Sequence, residues 1–234
     1  MENKKPYIKV TKNGPYLAYG ITTVDEKIIL TDGEGFSVAY GDGQTFQINT
    51  FPVALCRCGL TKNAPFCDGT HIKSAFDGTE TASFEKIEDN AFTLEGPNLT
   101  LKDKEGYCAF ARFCDVAGRV WNLVTVGDKQ TDKQAIQEAC ACPAGRLMIF
   151  DKEGKMIENA YAPCISVLED SGLKISGPLW VKGFIRVESG DGKSYEIRNR
   201  QTLCRCGRSG NKPFCDGTHA SVRFRSKPAS IKKR

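Results

Sequence analysis

The sequence predicts an α+β fold in which two small, related β-rich arms flank a middle segment of mixed helix and strand. Two observations support this prediction. A 22-residue stretch occurs twice, once towards each end of the chain, and 14 of its 22 positions are identical in the two copies. Short β-prone runs broken by glycine and proline precede both copies, whereas a helical pattern occurs between them. Because such a repeat marks a duplicated structural unit, we expect the two arms to pack on each other with pseudo-two-fold symmetry.

The chain of 234 residues has room for up to three small domains. We predict an N-terminal arm over residues 1–85, a middle domain over 86–170 and a C-terminal arm over 171–234. The net charge of +5 is mild, and the basic end Lys232–Arg234 is typical of a solvated tail rather than a nucleic-acid-binding arm. The start lacks the apolar core of a signal peptide, and no apolar run approaches the roughly 18 residues of a membrane helix. We therefore expect a cytoplasmic protein that binds neither nucleic acid nor membrane.

The N-terminal arm begins with short strands separated by turns. Tyr7–Val10 and Tyr16–Ile21 are predicted strands, and Asn13–Pro15 is a turn between them. A third strand is predicted at Ile28–Leu30, and glycines divide the β-prone residues that follow.

The duplication includes more than the 22-residue stretch. Gly14–Pro15 precedes the first copy and Gly177–Pro178 precedes the second, each before a predicted strand. The first copy has 15 more residues than the second between this turn and its first cysteine. We expect the additional residues at Asp25–Gly43.

The repeated stretch is rich in metal-binding residue types. Residues 55–76 read LCRCGLTKNAPFCDGTHIKSAF, and residues 203–224 read LCRCGRSGNKPFCDGTHASVRF. Each copy has the spacing C-x-C-x8-C-x3-H, which gives the candidate ligands Cys56, Cys58, Cys67 and His71, and Cys204, Cys206, Cys215 and His219. The chain has two histidines, and both lie in these motifs.

The spacing of these residues indicates two chelating pairs in each copy. Residues i and i+2 of an extended segment point to the same side, so Cys56 and Cys58 can offer two thiolates to one metal. Cys67 and His71 are four residues apart, and they share one face if this segment is helical. Two chelating pairs suit a cluster of two metals.

Charged residues flank the candidate ligands. Asp68 and Asp216 follow the third cysteine of each copy, and they are candidate helix caps or acceptors that orient the ligand loop. A plain turn acid is the alternative for both. Arg57 and Arg205 lie between the paired cysteines, and we expect them to point into solvent. The alternative is that they offset negative charge at the candidate ligands.

These motifs resemble the CDGSH iron–sulfur domain family in its CDGTH variant. The resemblance covers CRCG, the N-x-PFCDGTH run and the trailing phenylalanine in both copies. It implies a [2Fe–2S] cluster held by three cysteines and one histidine in each copy. It also implies pairing of two motifs, either within one chain or between two chains, so a monomer and a homodimer both agree with it. Zinc accepts the same ligands tetrahedrally, and a zinc-binding structural or adaptor module is the alternative.

A histidine ligand has chemical consequences for such a cluster. Free imidazole titrates near pH ~6.5, so mild acid competes with iron for this ligand. Replacing a thiolate by imidazole also raises the reduction potential. We therefore expect acid-labile clusters.

The middle segment contains five further cysteines: Cys108, Cys114, Cys140, Cys142 and Cys164. The run CAFARFC is followed by a predicted helix over Asp132–Cys140, with Thr131 as its N-cap, and then by CPAG. This arrangement is similar to divergent single-cluster ferredoxins. The resemblance implies a third cluster, [3Fe–4S] or [4Fe–4S], on Cys108, Cys114 and Cys142, with Cys140 or Cys164 as a candidate fourth ligand. Buried reduced cysteines are the alternative.

The sequence therefore predicts an iron–sulfur protein that acts in one-electron transfer, in redox sensing or in the transfer of clusters or iron to a protein partner. We expect no enzyme activity, because the chain lacks a nucleophile–base pair, a phosphate-binding loop and a dinucleotide fingerprint.

Overall fold

The computed structural model describes residues 5–226, so the basic tail at Lys232–Arg234 lies outside the described residues. The strands of this part are β1 (Tyr7–Val10), β2 (Tyr16–Tyr19), β3 (Val24–Thr31), β4 (Ser37–Phe46), β5 (Val53–Leu55), β6 (Phe92–Glu95), β7 (Thr100–Asp103), β8 (Leu147–Phe150), β9 (Met156–Ile157), β10 (Cys164–Asp170), β11 (Ile175–Lys182), β12 (Arg186–Glu188) and β13 (Arg200–Leu203). The α-helices are α1 (Thr70–Lys73), α2 (Val120–Val124), α3 (Lys129–Ala141) and α4 (Thr218–Ser221). None of these helices has the length and apolar character needed to cross a membrane.

The predicted α+β fold is confirmed: most of the regular structure is in sheets, and the two repeats flank the middle segment. One sheet has the strand order β12-β1-β2-β5, and a second has the order β13-β11-β10-β3-β4. A third sheet, β6-β7-β8-β9, belongs to the middle segment, where α2 and α3 pack together and α3 contacts β8. The overall pseudo-two-fold symmetry stays a prediction.

The two arms exchange strands. β1 of the N-terminal arm pairs in parallel with β12 of the C-terminal arm, and β3 pairs in parallel with β10. The predicted boundary at residue 170 therefore coincides with the end of a strand that belongs to the sheet of the arms. Parallel pairs need long connections, and the middle segment supplies the connection between β3–β4 and β10.

The additional residues of the first copy form a hairpin. β3 and β4 pair from Val24↔Phe46 to Thr31↔Ser37, which includes the predicted region Asp25–Gly43. This hairpin adds two strands to the sheet that carries the second copy. The insertion thus fastens one arm to the other.

One hydrophobic core lies between the arms and another lies within the middle segment. The first includes Ile8 and Tyr16 from one arm and Leu179 and Val187 from the other. A fully buried side chain of this size contributes roughly 1.5–3 kcal/mol, so this shared core stabilises the packing of the two arms on each other. The middle core extends to Cys215 of the second repeat.

The N-cap prediction for the helix of the middle segment was wrong. α3 begins at Lys129, and its N-cap is Asp128, whose carboxylate accepts hydrogen bonds from the backbone N–H groups of Gln130 and Thr131. A carboxylate at this end also interacts favourably with the helix dipole. Asp128 therefore caps the helix in place of Thr131. The helix ends at Ala141, which places Cys142 at its C-cap.

Candidate metal centres

The first repeat brings its four candidate ligands together as two pairs. The sulfur atoms of Cys56 and Cys58 are 3.8 Å apart, and Cys67 Sγ is 3.3 Å from His71 Nδ1. A tetrahedral metal with bonds of about 2.3 Å to sulfur and 2.0 Å to nitrogen separates two ligands by roughly 3.5–3.8 Å. The two cysteines therefore match one tetrahedral metal ion, and the Cys67–His71 distance is about 0.2 Å shorter than this range.

The second repeat reproduces this arrangement. The sulfur atoms of Cys204 and Cys206 are 3.7 Å apart, and Cys215 Sγ is 3.4 Å from His219 Nδ1. Among residues 5–226, no three side chains of Cys, His, Asp or Glu converge on a point where they would all bind one ion. The donors of each repeat are thus grouped in twos.

Backbone hydrogen bonds hold the two pairs of each repeat in register. The N–H of Cys56 donates to Pro65 O at 2.8 Å, and the N–H of Cys67 donates to Ala54 O at 2.8 Å. The second repeat has the same two bonds, from Cys204 to Pro213 O and from Cys215 to Thr202 O, at 2.8 and 2.9 Å. The loop between the pairs therefore folds back on the strand that leads into the motif.

The two aspartates bridge the ligand loop in both repeats. Asp68 accepts hydrogen bonds from the N–H groups of Lys62 at 2.8 Å and Thr70 at 3.0 Å. Asp216 accepts the equivalent bonds, from Gly210 at 2.7 Å and from Thr218 at 3.0 Å. The bond from Lys62 is the first cause of the low pKa of Asp68, about 2. The N-cap of α1 is Gly69 rather than Asp68, so the aspartate orients the loop from one residue earlier.

Comparison with protein families gives a match in both repeats. A family model described as "Iron-binding zinc finger CDGSH type" matches residues 13–72 and 176–220. The chain contains two CDGSH-type domains in tandem. Iron–sulfur binding is the function that this match supports. Comparison with curated proteins and with solved structures gave no match to the chain.

The expectation that Arg57 and Arg205 point into solvent was wrong, because both CDGSH arginines are buried. Arg57 donates to the carbonyl oxygens of Thr11 and Gly78, and its guanidinium lies 5.7 Å from the centre of the Phe76 ring. These bonds give acceptors to two of the three guanidinium nitrogens, whereas Nε has no hydrogen-bond partner among the described residues. The ring is the trailing phenylalanine of the repeat.

The second arginine is held in the same way. Arg205 donates to Gly177 O at 2.8 Å, Leu168 O at 3.1 Å and Glu169 Oε1 at 2.6 Å, and it lies 5.5 Å from the Phe224 ring. The sequence did contain a signal for this structural role: arginine occupies the position between the paired cysteines in both copies.

Each C-x-C pair is prepared to bind a metal. The hydrogen bond with Cys58 lowers the pKa of Cys56 to about 6, and the bond with Cys206 lowers that of Cys204 to about 6. The partner thiols have raised pKa values, first because of the same bond. One thiolate is therefore available near neutral pH in each CDGSH domain, and thiolate is the form that binds metal.

The two CDGSH motifs contact each other directly. A Cβ atom placed on Gly59 would lie 2.7 Å from Cys206 O, and one placed on Gly207 would lie 2.6 Å from Cys58 O. The Tyr16 hydroxyl, which is buried, lies 2.9 Å from the carbonyl oxygen of Cys204 and crosses from one arm to the motif of the other. The contact is reciprocal, because the glycine of each motif lies against a cysteine of the other.

The second CDGSH site is the more deeply buried one. Cys215 and His219 are 2% and 5% exposed, whereas Cys67 and His71 are only half-buried. Burial is the main cause that lowers the pKa of His219 to about 4, and the charge of Arg205 adds to it. The imidazole of the second site is thus held in its neutral, metal-binding form.

Three cysteines of the middle segment form a further group beside the second CDGSH site. Cys108 follows a 3₁₀ turn, Cys114 lies in a second one, and Cys142 caps α3. Cys142 lies in the hydrophobic core that includes Cys215, and Cys114 packs against this core. Burial raises the pKa values of Cys108 and Cys114, and the charge of Cys142 adds to this effect, so the three residues predicted for a third cluster lie in the same part of the fold.

The charges around this group are balanced by Arg146, which sequence reasoning missed. Burial raises the pKa of Cys114 to about 12, and the nearby charges of Asp115 and Cys142 act in the same direction. Burial opposes the charge on Arg146, yet Cys108 and Asp103 raise its pKa above the ordinary value. Arg146 is a buried cation among thiols.

The two candidate fourth ligands lie elsewhere. The thiol of Cys140 is 3.5 Å from Ile157 O. Cys164 is the first residue of β10 and pairs with Lys182 of β11. No described contact joins Cys140 or Cys164 to the group of three.

Proposed function

We propose that the chain binds two [2Fe–2S] clusters, one in each CDGSH domain, and acts in one-electron transfer. The ligands are Cys56, Cys58, Cys67 and His71 in the first site, and Cys204, Cys206, Cys215 and His219 in the second. The observation that carries the proposal is the grouping of these donors into two pairs in each site, with separations of 3.3–3.8 Å that are close to those of two ligands on one tetrahedral ion.

The pairing supports a two-iron cluster over a single zinc ion. Zinc in a structural site would draw all four donors around one point. A two-iron cluster needs one pair for each iron. The short distances join Cys56 to Cys58 and Cys67 to His71, which is the pairing that a two-iron cluster needs.

Backbone N–H groups prepare the second site for a negatively charged group. When bound, the cluster would supply a centre that accepts and releases one electron. The N–H of Arg208 lies 3.4 Å from Cys206 Sγ, and the N–H of Gly217 lies 3.4 Å from Cys215 Sγ. Hydrogen bonds to the sulfur ligands favour the reduced state. The neutral His219 adds no positive charge that would compete with the metal.

We propose a third cluster, [3Fe–4S] or [4Fe–4S], on Cys108, Cys114 and Cys142. Burial raises the pKa of Cys114, and the charges of Cys142 and Cys108 add to this effect, which supports one group of three thiols. The buried Arg146 supports the assignment as well, because it pairs with Asp103 at 3.5 Å and is also influenced by the thiol charges, so it would offset part of the negative charge of a cluster. The group adjoins the second CDGSH site through Cys215.

The close packing of the sites favours electron transfer over sensing or cluster donation. The CDGSH motifs touch at Gly59 and Gly207, and the middle cysteines lie beside the second motif. Electrons would therefore pass within one chain, and a monomer suffices to pair the two CDGSH sites. We propose a redox protein as partner and no reaction on a substrate of the chain's own.

Metal analysis of anaerobically purified protein tests the proposal. Two [2Fe–2S] sites predict about four irons and four sulfides per chain with visible absorbance, and a third cluster raises iron to about seven or eight. A Cys142→Ser variant should lose only the additional iron. Colourless protein that contains zinc would refute the iron–sulfur proposal and leave a structural or adaptor module.

A further inference from the structure

The two CDGSH domains differ most where they meet solvent. Gly217 of the second domain is covered by the middle segment, because a Cβ placed on it would lie 2.9 Å from Cys108 O. Gly69 is the equivalent residue of the first domain, and a Cβ placed there would have no neighbour within 4 Å. One ligand loop is therefore enclosed and the other is open.

The cover over the second site is fixed by polar contacts. Arg112 donates to Asp170 Oδ2 at 2.7 Å, and this carboxylate is buried. The side-chain amide of Asn211 donates to Gly106 O at 3.1 Å. These bonds hold the 106–112 loop against the second domain. A partner protein would have to displace the loop to reach the buried His219.

The open site is surrounded by apolar and basic side chains. Leu60 and Ile72 are 51% and 78% exposed, and Lys62 and Lys73 are also exposed. Together these four residues form the first-site surface. Exposed apolar residues next to a functional group mark contact sites for other molecules.

The second repeat has lost this combination. Its equivalents of Leu60, Lys62, Ile72 and Lys73 are Arg208, Gly210, Ala220 and Ser221. Only eight positions differ between the two 22-residue copies, and these are four of them. The copies therefore diverge at the surface while they retain their ligands. This pattern indicates that one site alone faces a partner.

Asp68, an acidic residue beside the first-site surface, is held by backbone hydrogen bonds. Both carboxylate oxygens of Asp68 accept backbone hydrogen bonds, from Lys62 and Thr70. The exposed Lys62 and Lys73 thus outnumber this single carboxylate beside the exposed apolar residues. Positive rims attract partners of opposite charge and speed their association.

We propose that the first-site surface is the docking site of a small redox protein with an acidic face, and that electrons enter or leave the chain through the first cluster. This inference rests on the proposed function. The second cluster then connects the first to the middle segment and exchanges no electrons with partners directly.

The binding of an acidic plant-type ferredoxin to the full-length, cluster-loaded protein tests the proposal. Calorimetry at low ionic strength should detect a complex that weakens with added salt. Lys62→Glu and Lys73→Glu should each weaken binding roughly fivefold or more. Arg208→Glu changes the charge equally at the second domain, and it should alter the affinity less than about twofold. Ile72→Ser should weaken binding at all salt concentrations.

Several outcomes would overturn the inference. Equal losses in Lys73→Glu and Arg208→Glu would mean that net charge alone determines binding. Unchanged binding in both lysine variants, or no complex with the ferredoxin, would remove the first-site surface as an acidic-partner site. Iron content and absorbance of the same samples distinguish a failure of the proposed function from a failure of the docking inference. Zinc-containing colourless protein refutes the proposed function, whereas iron-loaded protein without site preference refutes only this inference.

Discussion

Gly59 lies against Cys206 of the other CDGSH domain so closely that a Cβ atom would be 2.7 Å from the carbonyl oxygen of that residue. The reverse contact, between Gly207 and Cys58, would measure 2.6 Å. Both glycines have positive φ angles, +77° and +76°. The C-x-C-G sequence therefore combines two features: its cysteines are the candidate metal ligands, and its glycine lets the two motifs pack together.

Alanine at these glycines should separate the motifs. We expect Gly59→Ala and Gly207→Ala each to lower the free energy of unfolding by about 2 kcal/mol or more, because backbone strain and a clash with a carbonyl add up. Both CDGSH sites should lose iron in either variant, since each clash affects both motifs. Chemical denaturation and iron analysis measure the two effects.

Gly154→Ala is the matched control. Gly154 has a φ angle of +78°, and a Cβ placed on it would meet nothing within 4 Å. This variant carries the strain without the clash, so it should cost about 1 kcal/mol and retain all iron. Equal losses in all three variants would show that the contact between the motifs contributes nothing.

The sequence predicted the α+β class and the early strands because these features depend on local patterns. The repeat also indicated the candidate ligands of both sites, because three cysteines and a histidine at fixed spacing are typical of a metal site. The exchange of strands was not predictable, because the parallel pair of β3 with β10 joins residues about 140 positions apart.

Side-chain burial was harder to predict than position. Arg57 lies between two cysteines in a loop, where arginine is ordinarily solvated. Its burial depends on the carbonyl oxygens of Thr11 and Gly78, which only the fold brings close. Arg146 was missed for the same reason, since its thiol neighbours come from distant parts of the middle segment.

The buried arginines should stabilise the ligand loops. Arg205→Ala leaves Gly177 O, Leu168 O and Glu169 without their partner, so we expect a loss of about 3 kcal/mol or more. The second site should release iron first when this variant is unfolded in urea. Arg208→Ala removes an exposed arginine from the same loop, and it should change stability by less than about 0.5 kcal/mol. Similar losses in both variants would contradict the structural role of Arg205.

The two CDGSH sites should lose their metal at different pH values. Burial lowers the pKa of His219 to about 4, below the ordinary value near 6.5. The neutral form is therefore favoured in the fold, and the contribution of this ligand is lost only as the pH falls from about 6.5 towards 4. The half-buried His71 lacks the same protection from solvent. We expect the first cluster to be released at higher pH than the second.

Absorbance followed during acid titration checks this order. His71→Cys should remove the phase at higher pH, and His219→Cys should remove the phase at lower pH, because thiolate ligands resist displacement by protons near neutral pH better than imidazole does. A single phase in the unmodified protein, or the reverse assignment of the two variants, would show that histidine burial does not control acid release.

Arg146 should influence the reduction potential of the proposed third cluster. A buried positive charge stabilises an added electron, so Arg146→Met should lower the potential by tens of millivolts. Arg146→Lys keeps the charge next to Asp103 and should restore most of the difference. Potentiometry followed by electron paramagnetic resonance separates this cluster from the two CDGSH sites, and Cys142→Ser identifies its signal by removing it. If the signal remains in Cys142→Ser, its source is not the group of Cys108, Cys114 and Cys142. If Arg146→Met leaves the potential unchanged, the guanidinium does not balance the charge of the cluster.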